Sequence, residues 1–303
     1  MTKASIVIPS RGGADRLPVL LSALAEQTHP DWEAIVVVDG DIDGSAQVVA
    51  RFSHLPVRSI VLPENKGRVT ALNTGFAAAT GDVLIRADDD FEPSPAHVAA
   101  HVAAHEGAEC GAIGLPLNIA EDNAYMRAYG YDADRRGREA AYAAAPQDRW
   151  RHWGGNTSVP RAVYDRVGGF DDRYRGYGWE DVDFGYRVHQ LGIPIVMVPE
   201  AQVRHHMASI DTTTRVARAY ASGSARRHFE RIHSIRPSST EPNSQWERLT
   251  RAVANRMDAD SASTAARFVD RALPVLPRPV GRKAVALVVE SAARAGAVAG
   301  DRA

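Results

Sequence analysis

The amino-terminal third of this chain alternates between two hydrophobic periodicities, which leaves few folds open to it. Ser5-Ile6-Val7-Ile8, Ala34-Ile35-Val36-Val37-Val38 and Val83-Leu84-Ile85 are short aliphatic runs that read as buried strands, and the stretch from Val57 to Leu62 reads as a further strand. Between them Leu17, Leu20, Leu21 and Leu24 fall at helical spacing, a helix is expected through Gln47-Val48-Val49, and Val69, Leu72 and Phe76 follow the turn Asn65-Lys66-Gly67 at helical spacing. Strands alternating with helices imply βαβ units: an α/β fold with a mostly parallel twisted sheet flanked by helices. From about Gly111 the pattern changes. Residues 120–155 are rich in Tyr, Arg, Ala and Gly and have no clean period. Order returns with a helix from Pro160 to Val167, another from about Glu180 to Leu191, and a strand from Ile193 to Val198. Residues 211–235 read as a basic helix, Ser238 to Ser244 as a polar linker, and the remainder as helical segments broken by Pro274, Pro277 and Pro279.

With 303 residues, 45% of them hydrophobic, the chain can bury one large or two smaller cores. A net charge of −1 gives no electrostatic case for a nucleic-acid partner. The single cysteine, Cys110, excludes an intramolecular disulfide framework and a cysteine zinc cluster, and it is expected to pack. There is no signal-peptide core and no uninterrupted apolar span of ~18 residues, so a cytoplasmic location is expected.

The chemistry gathers at four places. Arg86-Ala87-Asp88-Asp89-Asp90 puts three adjacent carboxylates at the end of a buried strand. Their mutual repulsion is relieved best by a hard divalent cation, and strand carboxyl ends are where α/β sheets bind ligands. For an isolated acidic triplet a solvated turn is the simpler reading. Asp39-Gly40-Asp41-Ile42-Asp43-Gly44 begins like an EF-hand loop, but Ala50 stands where the loop needs glutamate. A strand-end carboxylate that accepts from a base or ribose, and a turn rich in Asp and Gly for backbone reasons, are the two readings left. In Gly178-Trp179-Glu180-Asp181-Val182-Asp183 acidic residues open a helix, which suits the helix dipole and also a general base. Val203-Arg204-His205-His206 offers imidazole to a borderline metal, or is a surface pair.

In order and spacing these segments resemble the inverting family 2 glycosyltransferases of the GT-A fold, over about residues 4–210. Ser5 to Pro9 is similar to that family's opening strand, Asn65-Lys66-Gly67 with Ala71-Leu72-Asn73-Thr74-Gly75 to its third helix, and Gly81 to Asp90 to the segment carrying its DxD motif. Gly154-Gly155-Asn156, Gly168-Gly169-Phe170-Asp171 and Gly178 to Arg187 resemble the galactosyl- and N-acetylgalactosaminyl-transferase domains of chondroitin polymerases and β-1,4-galactosyltransferases. The resemblance implies a nucleoside-diphosphate sugar donor, with UDP expected, and Mn²⁺ or Mg²⁺ as cofactor. It implies a glycan, a lipid-linked glycan or a small molecule as acceptor. Pro9, Asp39, Arg68, Asp88 and Asp89 would bind the donor; Asp90 and His205, with His206 as substitute, would hold the metal. Asp181 would be the base with Glu180 beside it, and Trp153, Gly155, Asn156 and Trp179 would meet the acceptor. By residue type Trp150, Trp153, Tyr174, Tyr177 and Trp179 are candidates for stacking on sugar, and for each of them core packing is an equal reading.

The family pattern is broken on the nucleoside side. Val38-Asp39 replaces a pair of aspartates, Leu72 stands where an arginine usually precedes the helix asparagine, and Ser10-Arg11-Gly12-Gly13 follows the first strand. Residues 1–110 would form the nucleotide-sugar half and 111–237 the acceptor half of one domain, with 238–303 a helical extension. That extension is expected to pack on the catalytic domain or on a second copy, with contact to an anionic membrane as the competing reading. A nucleotidyltransferase acting on a sugar phosphate, or a carbohydrate-binding protein without catalysis, are the alternatives from other classes.

Overall fold

A computed structural model describes residues 1–107, 109–206, 210–235 and 244–300. The chain divides into two compact units. The first comprises 1–119, 138–175 and 180–206, and the second 120–137, 176–179 and the described residues from 210 onward.

The first unit is built on a sheet that begins as expected. In chain order its elements are β1 (Ala4–Ser10), α1 (Leu17–Ala25), β2 (Trp32–Asp39), α2 (Ser45–Ala50), β3 (Val57–Leu62), α3 (Arg68–Ala78), β4 (Val83–Arg86), β5 (Phe91–Pro93), α4 (His97–Ala103), β6 (Gly111–Ile113) and β7 (Pro116–Ile119). After α5 (Tyr131–Ala143), within which the two units meet in sequence, come β8 (Thr157–Pro160), α6 (Arg161–Val167), α7 (Glu180–Gln190), β9 (Ile195–Met197) and β10 (Val203–His206). Seven strands lie in the order β3-β2-β1-β4-β8-β6-β9. Neighbours from β3 to β4 are parallel, β8 runs antiparallel to both its neighbours, and β6 and β9 are parallel. The α/β fold with a mostly parallel sheet is therefore as anticipated.

The central strands read as continuous aliphatic runs because both their faces are covered. Ile6, Ile8, Val36, Val38 and Ile85 join Leu17, Leu20, Leu21 and Leu24 of α1 in one core. Each such side chain contributes about 1.5–3 kcal/mol by leaving water. The chain steps outward from β1 to β2 and β3, then returns to place β4 on the other side of β1. The order reverses there, so the carboxyl ends of β1, β2 and β4 open onto one crevice. A second sheet, β5-β10-β7, was not foreseen, and it sets His205 opposite both Phe91 and Asn118.

Three histidines one helical turn apart point from α4 and the turn after it into this unit. The imidazoles of His97 and His101 both bond Asn156 Oδ1 at 2.9 Å, and His101 and His105 both bond Ser158 Oγ, at 2.8 and 2.7 Å. Burial pushes His97 and His105 down to about 4 from an ordinary 6.5, and His101 well below it, so all three are neutral at pH 7. The unfolded chain then binds more protons than the folded one between about pH 6.5 and 4, and stability falls as pH drops through that window. For His97 the shift to about 4 is worth about 3 kcal/mol at the bottom of the window. The thermal midpoint is therefore expected to fall steeply between pH 6.5 and 4.5, and His97→Gln to flatten that slope. A midpoint constant down to pH 5 would rule out neutral burial. Cys110 is buried, as expected, with its thiol donating to the Ala104 carbonyl at 3.1 Å.

The second unit is helical. It contains α8 (Thr212–Ile232), α9 (Gln245–Ala254), α10 (Ala259–Ala272) and α11 (Arg278–Gly300). Asp211 caps α8, Ser244 caps α9, and Asp258 with Ser261 forms a capping box on α10. Val216 of α8, Ala266 and Val269 of α10, and Val285, Val288, Val289 and Ala292 of α11 share a core with Tyr125 and Met126. Residues beyond 244 thus pack with α8 rather than apart from it. Pro279 does not break a helix: it lies in the first turn of α11, where a missing amide leaves no hydrogen bond unmade. Gly223 and Gly296 bring α8 and α11 into backbone contact, since a Cβ at either would strike the carbonyl of Ala293 or Tyr220. The linker expected at Ser238 to Ser244 lies, up to residue 243, outside the described residues, as does the 237/238 boundary. Among the described residues no helix is long and apolar enough to cross a membrane.

Candidate active site

The crevice at the ends of β1, β2 and β4 holds a cavity of about 260 Å³, lined by Pro9, Arg11, Asp39, Arg68, Asp88 and Asp90 among others. Asp39 is buried at the tip of β2, and its two oxygens accept from the backbone amides of Lys66 and Gly67 at 2.6 and 2.9 Å. It therefore shapes the loop that opens α3 while facing the cavity. Asp41 and Asp43 accept from the amides of Gly44, Ser45 and Ala46 at the start of α2, and Asp43 also from Ala14. For these two the turn reading is the right one.

The three adjacent aspartates have separate fates. Asp89 was expected to bind the donor. It lines the cavity, but Arg16 grips both its oxygens at 3.0 and 2.9 Å and Ser10 Oγ donates to it at 2.6 Å. Burial pushes its carboxyl up, and Arg16 and Ser10 offset this only in part. Asp88 takes a guanidinium nitrogen of Arg86 at 3.2 Å. Burial alone would raise its carboxyl, but the charges of Arg86, Arg68 and His205 outweigh that and hold it below the usual range. Gly155 is needed beside it, because a Cβ there would strike the Asp88 carboxylate. Asp90 Oδ2 lies 3.2 Å from His205 Nε2, while its Oδ1 is buried with no hydrogen-bond partner.

His205 is oriented by a residue that sequence reasoning missed. Its Nδ1 lies 2.6 Å from Asn118 Oδ1 across the β10–β7 pairing. A neutral imidazole that donates there presents a lone pair at Nε2, toward the Asp90 carboxylate. Two lone pairs at that distance are reconciled by a proton or by a cation. His206 points the other way, to Glu92 at 2.8 Å. Among the described residues no three His, Cys, Asp or Glu side chains converge as a closed metal cage. Asp90 and His205 fit instead an open site, in which a divalent ion keeps most of its positions for phosphate and water.

Arg86 is the second residue that sequence reasoning left without a role. It is fully buried at the end of β4 and ion-pairs with both Asp88 and Asp181. Burial lowers its guanidinium from the ordinary value. The available signal was a charge continuing the aliphatic run Val83-Leu84-Ile85. Glu180, also buried, faces Arg68 at 3.5 Å, and its Oε2 has no partner among the described residues. Arg86 thereby joins the first turn of α7 to the acidic end of β4, and Arg68 ties α3 to the same turn.

The expected acceptor residues are dispersed. Trp153 is buried against Phe184, with ring centroids 5.8 Å apart, and so offers no exposed face. Asn156 is committed to His97 and His101 and donates to the Ala201 carbonyl at 2.7 Å. Both are core residues rather than the sugar contacts expected, and for Trp150 and Tyr174 core packing is the reading that applies. Tyr177 is exposed and Trp179 half-buried, and both belong to the second unit. There the Trp179 indole donates to Ser222 Oγ at 3.1 Å, from a backbone held at φ 72°.

Residues 5–168, more than half of the chain, match the sequence pattern of glycosyl transferase family 2, and residues 135–209 match that described as the N-terminal domain of galactosyltransferase. A validoxylamine A glucosyltransferase from Streptomyces hygroscopicus subsp. jinggangensis is 30% identical over an alignment of 226 positions that covers 65% of this chain and 54% of that protein. The chain thus spans about half the length of that relative. Among solved structures, the mannosyltransferase PcManGT from Pyrobaculum calidifontis, in complex with GDP-Man and Mn²⁺, superposes with a TM-score of 0.64 at 17% identity, covering 97% of this chain and 87% of that one. GalNAc-T7 with UDP, GalNAc and Mn²⁺ gives 0.57 at 16% identity, over 89% and 54%. The fold shared with these structures is GT-A, as the sequence resemblance implied. With its sequence pattern and its fold in agreement, the chain belongs to glycosyl transferase family 2.

Proposed function

We propose that this protein moves a sugar from a nucleoside diphosphate, UDP by expectation, to an acceptor hydroxyl with inversion at the anomeric carbon. The observation that carries this reading is the Asp90–His205 pair, with a buried unpartnered carboxylate oxygen at the lip of the cavity. Pro9 and Asp39 line the nucleoside end, and the Asp39 oxygens retain lone pairs for a base N–H. Asp90 and His205 hold Mn²⁺ or Mg²⁺, which when bound neutralises the charge growing on the departing diphosphate. Arg68 and Arg11 add positive charge along the same wall. Asp181, ion-paired with Arg86, takes the proton of the attacking hydroxyl. Two of the solved relatives carry Mn²⁺ with a nucleotide or nucleotide sugar, which supports the metal and donor class.

The acceptor is a hydroxyl on a glycan, a lipid-linked glycan or a small molecule. Phe268, Val275 and Val280 are exposed apolar side chains of the second unit that a second copy or a membrane surface would cover. Product analysis with nucleotide sugars tests the proposal. Release of a nucleoside diphosphate supports it, release of pyrophosphate indicates nucleotidyl transfer, and binding without release indicates a carbohydrate-binding protein.

The two histidines should differ. His205→Ala is expected to weaken Mn²⁺ binding at least 10-fold, Asn118→Ala about 10-fold through loss of ring orientation, and His206→Ala hardly at all. Equal small effects in calorimetry would remove His205 from the metal.

A further inference from the structure

The second unit contains a larger cavity, of about 990 Å³, between α8, α9 and α11. Its lining is strongly basic for a chain whose net charge is −1: six arginines face three glutamates. Two of those glutamates are already engaged. Glu230 is held by Arg226 at 2.9 Å and Arg227 at 2.6 Å, and Glu290 accepts the Trp246 indole proton at 2.8 Å. Arg215, Arg218 and Arg294 make no ion pair among the described residues, although Arg218 lies over the Tyr177 ring at 5.4 Å. Arg215 and Arg218 are one helical turn apart on α8, and Arg294 faces the cavity from α11. The glycine-mediated approach of α8 and α11 fixes these two walls relative to each other.

Guanidinium groups stay charged throughout the physiological range, so clustering them without partners costs free energy that an anion relieves. A carboxylate offers one charge and two oxygens, enough for one arginine. A phosphoryl group offers up to two charges and three oxygens and engages several guanidinium forks at once. We propose that this cavity is a second ligand site, which takes the phosphoryl group of an anionic molecule among Arg215, Arg218 and Arg294. Its volume leaves room for a ring-sized substituent, with Tyr177 and Trp179 on the wall. All its lining residues belong to the second unit, so the site stands whether or not the nucleotide-sugar reading is correct.

The test titrates the full chain with sodium pyrophosphate in EDTA, by calorimetry, and measures co-sedimentation with phosphatidylglycerol vesicles in parallel. Arg215→Gln/Arg294→Gln is expected to weaken at least one of the two at least 10-fold, and Arg215→Lys/Arg294→Lys to recover part of the loss. Loss confined to pyrophosphate identifies a soluble phosphate ester, and loss of vesicle binding identifies a lipid headgroup; either supports the site. Unchanged melting by circular dichroism separates these results from unfolding. Unchanged binding in both arms, or loss with Arg11→Gln in the other cavity instead, overturns the proposal.

Discussion

Asp181→Asn is expected to lower turnover by about two to four orders of magnitude while donor and metal affinity stay nearly intact, because an amide cannot accept the hydroxyl proton. The structure adds a second consequence. Asp181 is ion-paired with a guanidinium that is fully buried. Removing its charge leaves Arg86 compensated by Asp88 but no longer by Asp181, and a buried charge that loses part of its compensation is less stable. The variant should therefore also melt at lower temperature. Assays well below its midpoint separate the two effects. Near-normal transfer there would take Asp181 out of the base role, whatever the melting shows.

The second large effect is expected at Asp90. Asp90→Ala should weaken donor binding in the presence of Mn²⁺ by on the order of 100-fold or more, since the ion that holds the diphosphate loses its anionic anchor. Without metal, the variant and the natural chain should bind the nucleotide equally weakly. Stability should change little or rise, because Asp90 Oδ1 is buried without a partner and its removal relieves a desolvated charge. Calorimetry with and without Mn²⁺ checks this. Equal affinities in all four titrations would reduce the acidic turn to a structural element.

The positions of these carboxylates were legible before any coordinates. Asp39 and the Asp88 to Asp90 triplet stand at the ends of aliphatic runs, and those runs became β2 and β4. Glu180 and Asp181 stand at the start of a helical period, which became α7. Local pattern reports which face of an element is buried, and that suffices for element type and for charges at element ends. It does not report the partner. Trp153 and Asn156 carried the composition of a sugar site, yet their side chains close the core around Phe184 and the α4 histidines. His97, His101 and His105 had the four-residue spacing of one helix face, but nothing local said that Asn156 and Ser158 would bond them from β8 and the residue before it.

The sequence by itself determined the α/β alternation, the positions of the first four strands along the chain, and the carboxylates set at strand ends. It did so because burial of a face imposes a period on the chain. Only the tertiary structure decided how the three aspartates differ, since Arg16 reaches Asp89 and His205 reaches Asp90 from positions 73 and 115 residues away. It alone placed Asn118 behind His205 by pairing β10 with β7, and joined residues 120–137 to the carboxyl-terminal helices in one unit. Those outcomes depend on which distant elements meet, and a meeting between distant elements leaves no periodic mark on either of them.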